Sequence, residues 1–415
     1  MKRNLLTFAA AAWFILVVGR SSMAEPGGSP TASSELVVTN TVLDPEGLEL
    51  SGSGGVSHGP LLVAASFDIA TPVAEWSPVA TNVFDAAGRF RVLAPRSLRY
   101  PQQFFKVVAT DDSTPDWSPV GFATVEGTVT GGQGTMPVTV QTLSELRTAV
   151  QSNSPRLVQV SGTINLGQGN LDVGSNTTLA GLGTNATLVG NLRLNGVNNV
   201  IIRNLHLTNP AGAGGGDGLA IIDGAHHIWI DHCTFLDCAD GQCDITRAAD
   251  YVTVSWCKFS YPGGQSDHRF SVLIGAGDSH TEDRGKLRIT FHHNWWSSRC
   301  RERMPRVRYG HVHGFNNYYA APDNNYCVRA AIASELLVEN NYFFNVRRPY
   351  EKYSSGGTEG KIRAVGNDTS FATGVTHYQD EVFTPPYSYD LDTVVEVPDL
   401  VRTHAGAGRG PFAKN

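Results

Sequence analysis

Three aspartates stand in short glycine-containing segments where their carboxylates could bind a cation. Asp217 lies in the run Ala-Gly-Ala-Gly-Gly-Gly-Asp-Gly, and Asp240 and Asp244 are the ends of Asp-Gly-Gln-Cys-Asp. Carboxylate oxygens are the hard ligands that Ca²⁺ prefers, and a turn can direct the two later carboxylates at one point. The alternative is three solvated turn aspartates, because Asp beside Gly is common in ordinary turns.

A run of arginines forms a second candidate site. Five arginines occur within residues 299–308, among them Arg303, Arg306 and Arg308, and Arg269 precedes them in the chain. Guanidinium groups bind carboxylates through two parallel hydrogen bonds, so a positive strip on a net-negative protein suits an acidic polymer. A solvated charged face with internal ion pairs is the alternative.

An internal repeat indicates how these residues are positioned. Short β-rich segments align on one Asn or Cys, at intervals of 29, 24, 37, 23 and 24 residues. Apolar residues recur five positions before and two positions after the aligned residue. A period near 23 residues whose copies differ by insertion is typical of a solenoid, and we predict a parallel β-helix. The aligned residues are Asn204, Cys233, Cys257, Asn294, Asn317 and Asn341.

The insertions determine which side chains share one flank of the solenoid. Asp217 follows its aligned residue by 13 positions, Asp240 and Asp244 follow theirs by 7 and 11, and Arg303 and Arg308 by 9 and 14. Insertions at similar offsets leave a solenoid on the same side. We therefore expect the acidic and basic groups to lie along one groove.

Stacked Asn side chains should also form hydrogen bonds from coil to coil. Cys233 and Cys257 would occupy the same ladder, either as free thiols or as a disulfide.

The N-terminal region differs from the repeats. Residues 1–24 have the pattern of a secretory signal peptide, with Lys2 and Arg3 before an apolar run and small residues at the cleavage site. Alternating short strands over residues 35–112 predict a small antiparallel β module. Linkers are expected at 25–34 and 113–120, and the catalytic β-helix at 121–415. Thr142 and Glu145 form a capping-box pattern that opens a short helix.

Charge and cysteine content narrow the function classes. The chain has 415 residues, and without the signal peptide it carries 29 basic and 38 acidic residues, a net charge of −9. This balance argues against general nucleic-acid binding. Six cysteines in an exported protein permit disulfides without fixing their pairing, and no zinc-site spacing is present. We expect a secreted, extracellular monomer without a membrane span in the mature chain.

The ordered motifs resemble those of the extracellular pectate lyases of polysaccharide lyase family 1. The resemblance runs from about Gly121 to the C-terminus and leaves the N-terminal module outside. The matching stretches are WIDHCTF at 229–235, DGQCDI at 240–245, YVTVSW at 251–256, GKLRITFHHN at 285–294, RMPRVR at 303–308 and PPYSYDL at 385–391.

This resemblance implies an all-β fold, a right-handed parallel β-helix, and cleavage of α-1,4-linked polygalacturonate by calcium-dependent β-elimination. It implies that Asp240 and Asp244 are calcium ligands, that Arg303 takes the C5 proton and that Arg308 binds a substrate carboxylate. Arg306 is grouped with the substrate-binding arginines. Because a guanidinium is hard to deprotonate, an arginine base predicts an alkaline pH optimum.

Two positions depart from the family pattern. The further calcium-ligating Asp of the family falls on Gly218 here, so Asp217 is proposed with a one-residue shift. The substrate-binding Lys of the family falls on Phe270, and Arg269 beside it is the proposed substitute. Three alternatives remain at this stage: a pectin lyase acting on methylated pectin, a β-helical hydrolase, and a non-catalytic polyuronate-binding β-helix protein.

Overall fold

A computed structural model describes residues 13–16, 36–44, 47–54, 60–66, 77–83, 85, 87, 89–95, 102–109, 118–263, 267–354 and 356–410. The chain divides into two compact units after residue 115. Apart from a strand at Trp13–Leu16, the predicted signal peptide and the linker at 25–34 lie outside the described residues. The linker at 113–120 also lies outside them except for its last three residues.

Among the described residues, the N-terminal unit contains seven strands. Strand β6 shows why it folds: Phe90, Val92 and Ala94 are buried while the residues between them are exposed, the period of two that a half-buried strand requires. These side chains share one core with Leu50 and Phe105. Strands β2, β3 and β6 form one antiparallel sheet, and β1, β7, β4 and β5 form the other, in which only the β1–β7 pair is parallel. The strands are β1 (Trp13–Leu16), β2 (Val37–Asp44), β3 (Gly47–Ser53), β4 (Pro60–Ser66), β5 (Ser77–Val83), β6 (Arg89–Pro95) and β7 (Gln102–Ala109).

Where the structure describes it, the second unit is a parallel β-solenoid of short strands with one α-helix near each end. Its first half contains β8 (Pro137–Val140), α1 (Leu143–Val150), β9 (Arg156–Val160), β10 (Thr163–Asp172), β11 (Thr177–Gly181), β12 (Thr187–Asn195), β13 (Asn198–Arg203), β14 (His206–Asn209), β15 (Leu219–Ile222), β16 (His226–Asp231), β17 (Thr234–Cys238), β18 (Cys243–Ile245), β19 (Asp250–Ser255) and β20 (Lys258–Phe259). Its second half contains β21 (Leu273–Ile274), β22 (Arg288–His292), β23 (Trp295–Trp296), β24 (Arg306–Val307), β25 (His311–Phe315), β26 (Tyr318–Tyr319), β27 (Val328–Ala330), β28 (Glu335–Glu339), β29 (Tyr342–Arg347), β30 (Tyr350–Lys352), β31 (Lys361–Val365), β32 (Asp368–Thr373) and α2 (Val397–His404). The predicted parallel β-helix, preceded by an antiparallel module, is confirmed.

The solenoid strands form two sheets that share the same interior. Ten strands make one sheet, in the order β31-β28-β25-β22-β19-β16-β13-β11-β9-β8. In the other sheet the long strand β12 pairs with β14 at its start and with β15 at its end. Two sets of strands diverge from β12. We call β15, β18, β21, β24, β27 and β30 the β15 series, and β14, β17, β20, β23, β26, β29 and β32 the β14 series.

The predicted ladder runs through the turn before the β14 series. The backbone N–H of Cys257 donates to Asn294 Oδ1, that of Asn294 to Asn317 Oδ1, and that of Asn317 to Asn341 Oδ1, each at 2.9 Å. The residue before each ladder position from Cys233 to Asn341 has φ between 48 and 56°, which turns the chain sharply. Cys233 and Cys257 occupy the ladder as free thiols, and all six cysteines are free and buried.

Aromatic side chains stack inside the solenoid two residues after the ladder. The column Phe235, Phe259, Trp296, Tyr319 and Phe343 has successive ring centroids 4.4 to 5.1 Å apart, and every ring in it is buried. Each coil buries its apolar face only against its neighbours, so the stack is the core of the domain.

Helix α1 begins with the predicted capping box. In the described part of the chain, no helix is both long enough and apolar enough to cross a membrane.

Candidate active site

The β15 series places acidic and basic side chains in one outward-facing column. In the strand register, Asp244 lies beside Ala220, and Arg306 lies beside Leu273. The next residue on each of these strands points into the core and is buried: Ile245, Ile274 and Val307. Asp244 and Arg306 therefore lie on the same face of the sheet, two strands apart, which is about 10 Å at the usual strand spacing. Asp244 and Arg306 thus share one flank of the solenoid, as predicted for the acidic and basic groups.

The three predicted calcium-ligating aspartates come together where β15 and β18 begin. Asp217 immediately precedes β15, Asp240 lies in the turn before β18, and Asp244 is part of β18. The Gly241 N–H donates to Asp217 Oδ1 at 3.0 Å, and the Leu273 N–H donates to Asp244 Oδ1 at 2.9 Å. These bonds fix the orientation of two of the carboxylates before any ligand arrives.

The electrostatics of this cluster favour a cation. Burial, followed by the charges of Asp244 and Asp240, raises the pKa of Asp217 to about 8. Burial raises the pKa of Asp244 to about 7, although the Leu273 N–H and the charge of Arg303 oppose the shift. Carboxylates that repel one another in a partly desolvated site are stabilised by a divalent ion.

Glycines allow the chain to approach these carboxylates closely. A methyl group on Gly241 would overlap the Asp244 carboxylate, and Gly216, with φ 94°, lies against the backbone and Cβ of Asp240. The described residues contain no ready-made group of three or more His, Cys, Asp or Glu side chains arranged around a metal position. Calcium takes six to eight oxygen ligands, including waters and substrate groups, so these three carboxylates would supply only part of such a site.

Arg303 lies above an aromatic ring at the edge of this cluster. Its guanidinium carbon is 4.6 Å from the centroid of the Phe270 ring, and its charge acts on both Asp217 and Asp244. The residue has φ 60°, in the left-handed region that side chains other than Gly seldom adopt, and its carbonyl accepts a 2.7 Å hydrogen bond from Val272 N–H. These features fix the backbone of Arg303, and the Phe270 ring lies against its side chain.

The other predicted arginines differ in how firmly the protein already holds them. Burial, followed by the charge of Arg308, lowers the pKa of Arg306, whose guanidinium lies 5.3 Å from the Tyr353 ring centroid. Arg308 pairs with Asp278 at 2.6 Å and also donates to the Gly275 carbonyl. These two contacts use only two of the five guanidinium N–H donors.

The structure ties Arg269 to the neighbouring arginine-rich segment. Its Nε donates to the Arg299 carbonyl at 2.9 Å. The neighbouring His268 is the residue that reaches the acidic cluster, with its Nε2 2.8 Å from Asp240 Oδ1. The His268 and Phe270 rings also contact each other, with centroids 4.1 Å apart.

Spacing alone placed His268 on this flank, 11 positions after its ladder residue, but assigned it no role in the site. Phe270 was missed as a site residue. No such signal existed for Phe270, because its contact with Arg303 depends on how two insertions of different length fold together. Trp229 and Asp231, which belong to a motif of the family, bond to the buried Ser255 in the ten-stranded sheet and have structural roles there.

Both the sequence and the fold of this chain match known proteins. The family model described as pectate lyase matches residues 107–410. A pectate trisaccharide-lyase of Bacillus licheniformis is 33% identical over 314 residues, covering 71% of this chain and 87% of that protein. Pectate lyase E of Dickeya dadantii is 33% identical over 358 residues, covering 70% and 86%. A crystal structure of a pectate lyase from Bacillus sp. N165 in complex with trigalacturonate superposes with a TM-score of 0.61 at 28% identity, covering 70% of this chain and 99% of that one.

Proposed function

Because the chain belongs to the pectate lyase family and is a polysaccharide lyase, we propose that it cleaves α-1,4-linked polygalacturonate by calcium-dependent β-elimination. The products would be oligogalacturonides with a 4,5-unsaturated end. One observation supports the proposal above the others. Three mutually repelling carboxylates lie where β15 and β18 begin, and the positive charge of Arg303 acts on two of them.

The reaction removes a weakly acidic proton from C5, next to a carboxylate whose negative charge opposes carbanion formation. Asp217, Asp240 and Asp244 would hold calcium, which when bound supplies positive charge to the uronate carboxylate. Arg306 and Arg308 would bind carboxylates of the polymer beside it, and Arg269 would extend this basic edge. Preorganised positive charge at the developing enolate is the kind of stabilisation that usually contributes most to catalysis.

Arg303 is the proposed base. It is fixed by its backbone and by the Phe270 ring, so little reorganisation is needed when the substrate arrives. In the reaction its neutral form takes the C5 proton, the electron pair forms the C4–C5 double bond, and the glycosidic oxygen leaves C4. Neutral arginine becomes more abundant as pH rises, so the rate should increase toward alkaline pH.

The rival functions make different predictions. A pectin lyase would act on methylated pectin without calcium, which gives no reason for the three convergent aspartates. A hydrolase would produce no unsaturated end. A non-catalytic polyuronate-binding protein would bind the polymer without cleaving it.

The proposal extends to localisation and assembly. The signal-like segment at 1–24 supports secretion to an extracellular substrate, and we propose that the mature protein acts as a monomer. The N-terminal module would serve as a spacer or as a carbohydrate-binding appendage, with the spacer favoured.

The test is the ultraviolet absorbance of the unsaturated product on polygalacturonate at alkaline pH. Calcium should support product formation and EDTA should stop it, and Arg303→Ala should lower kcat by at least about 100-fold. Arg299→Ala is the matched control, because it removes an arginine from the same segment but is not proposed to act. Full activity of Arg303→Ala would show that this residue is not the base.

A further inference from the structure

A cavity of about 360 Å³ lies on the β14 series, which is a different face of the solenoid from the candidate active site. Its size falls within the range of about 300–1,000 Å³ that small-molecule sites occupy. Its walls come from the four strands β20, β23, β26 and β29, the segments after β23 and β26, and helix α2. The lining residues used in this argument are Lys258, Trp295, Ser298, Tyr318, Asn345 and Arg402.

Two cations face this cavity. Lys258 Nζ lies 4.1 Å from the Trp295 ring centroid, and Arg402 donates to Tyr318 Oη at 2.7 Å. Across the described ranges, no carboxylate lies within ion-pair distance of Lys258, although the chain forms many such pairs elsewhere. Burial, followed by the charge of Arg409, lowers the pKa of Lys258, so an arriving anion would relieve an existing repulsion.

Helix α2 also carries an acidic residue, Asp399. Asp399 acts on Arg402 from the same helix, but burial raises the pKa of Asp399 well above its ordinary value. Burial therefore disfavours the charged form of this carboxyl group. Lys258 and Arg402, which both line the cavity, could bind a carboxylate through charge-assisted hydrogen bonds.

The walls of the cavity are fixed before any ligand binds. Helix α2 packs through Val397 and Val401 against Tyr318. The chain after the helix is anchored by Gly406 N–H on the Trp256 carbonyl at 2.8 Å, and a Cβ on Gly406 would contact the stem of Lys258. Preformed walls lower the ordering cost of binding.

The remaining lining groups fit a sugar that carries a carboxylate. Ser298 and the Asn345 amide can exchange hydrogen bonds with sugar hydroxyls, and the neighbouring Phe344 and Pro322 offer apolar contact to the C–H face of a pyranose ring. We propose that this cavity is a second, non-catalytic site that binds a uronate residue of the polymer. The proposal rests on the proposed function for its choice of ligand.

Affinity electrophoresis through a gel containing polygalacturonate, run with EDTA, tests the proposal on the full-length chain. Lys258→Gln should weaken polymer binding by about tenfold, the usual effect of losing one charge-assisted contact. Lys286→Gln, a half-exposed lysine in the turn before β22, is the matched control and should bind like wild type. Ser298→Asp adds a repelling charge while leaving the Lys258 contact with Trp295 in place, and it should weaken binding similarly.

Three results would overturn the second site. In the first, both cavity variants migrate like the Lys286 control. In the second, an uncharged galactan retards the protein as strongly as polygalacturonate. In the third, dextran sulfate displaces the polymer as well as free polygalacturonate does, which would indicate an unspecific cationic patch.

Cleavage of trigalacturonate with calcium should stay within about twofold of wild type in both variants, since the tenfold effect concerns polymer binding alone. Loss of all cleavage in the wild type would instead refute the proposed function.

Discussion

Calcium binding by this protein should depend steeply on pH. Calcium binds carboxylates only after they lose their protons. With the pKa of Asp217 at about 8 and that of Asp244 at about 7, both groups hold protons at pH 6 and both are ionised at pH 9. We therefore expect the calcium affinity to be on the order of 10³-fold weaker at pH 6 than at pH 9, a difference of ~4 kcal/mol.

The same shifts determine how stability responds to pH. Their folded pKa values exceed the ordinary value of 3.8, so ionising these carboxyl groups disfavours the folded calcium-free protein. That destabilisation is absent below about pH 4, grows as pH rises and is complete above about pH 8. In EDTA these two groups should therefore lower the free energy of unfolding as pH increases, whereas calcium should restore it most strongly at pH 9.

Titration calorimetry measures the effect directly. Calcium should release nearly two protons per ion at pH 6 and almost none at pH 9, as read from buffers with different ionisation enthalpies. Asp244→Asn should remove one of these protons and weaken binding, while Asp223→Asn, at an exposed turn outside the cluster, is the control. A calcium affinity that stays within about threefold from pH 6 to pH 9, with no proton release, would refute this account of the site.

Three further predictions concern the loop glycines, the ladder and the cysteines. Gly241→Ala should lower calcium affinity by at least about tenfold in calorimetry, because the added methyl group overlaps the Asp244 carboxylate. Gly215→Ala is the control, because its methyl group would have ordinary contact distances and should leave the calcium affinity unchanged. Equal calcium affinities of the two variants would contradict the close approach of Gly241 to Asp244. Asn317→Ala should lower the free energy of unfolding by about 2–4 kcal/mol in denaturant titrations, because it leaves buried partners on both neighbouring coils unpaired. This loss should exceed that of Asn367→Ala, which lies at the half-buried end of the ladder. Thiol titration should label no cysteine in the native protein and all six in denaturant, and a lower count in denaturant would reveal a disulfide.

The sequence alone determined the architecture of the catalytic unit. Its repeat fixes which residues point inward, because strand side chains alternate and each coil repeats the pattern of the coil before it. This is why the column Ile228, Val252, Ile289, Val312 and Leu336 could be read from spacing and appears in the structure as register partners. The Asn ladder followed from the same logic, since a side-chain amide repeated at one position in stacked coils can bond along the axis.

Only the tertiary structure decided which groups meet within the site. The offset of Asp217 was ambiguous by one residue in sequence, and folding of the glycine-rich insertion brings its carboxylate under the influence of Asp240 and Asp244. The pairing of Arg308 with Asp278 and the contact of Arg303 with Phe270 also join insertions from different coils. The repeat constrains the strands but not these insertions, because their lengths differ from coil to coil and their side chains find partners only after the coils have stacked.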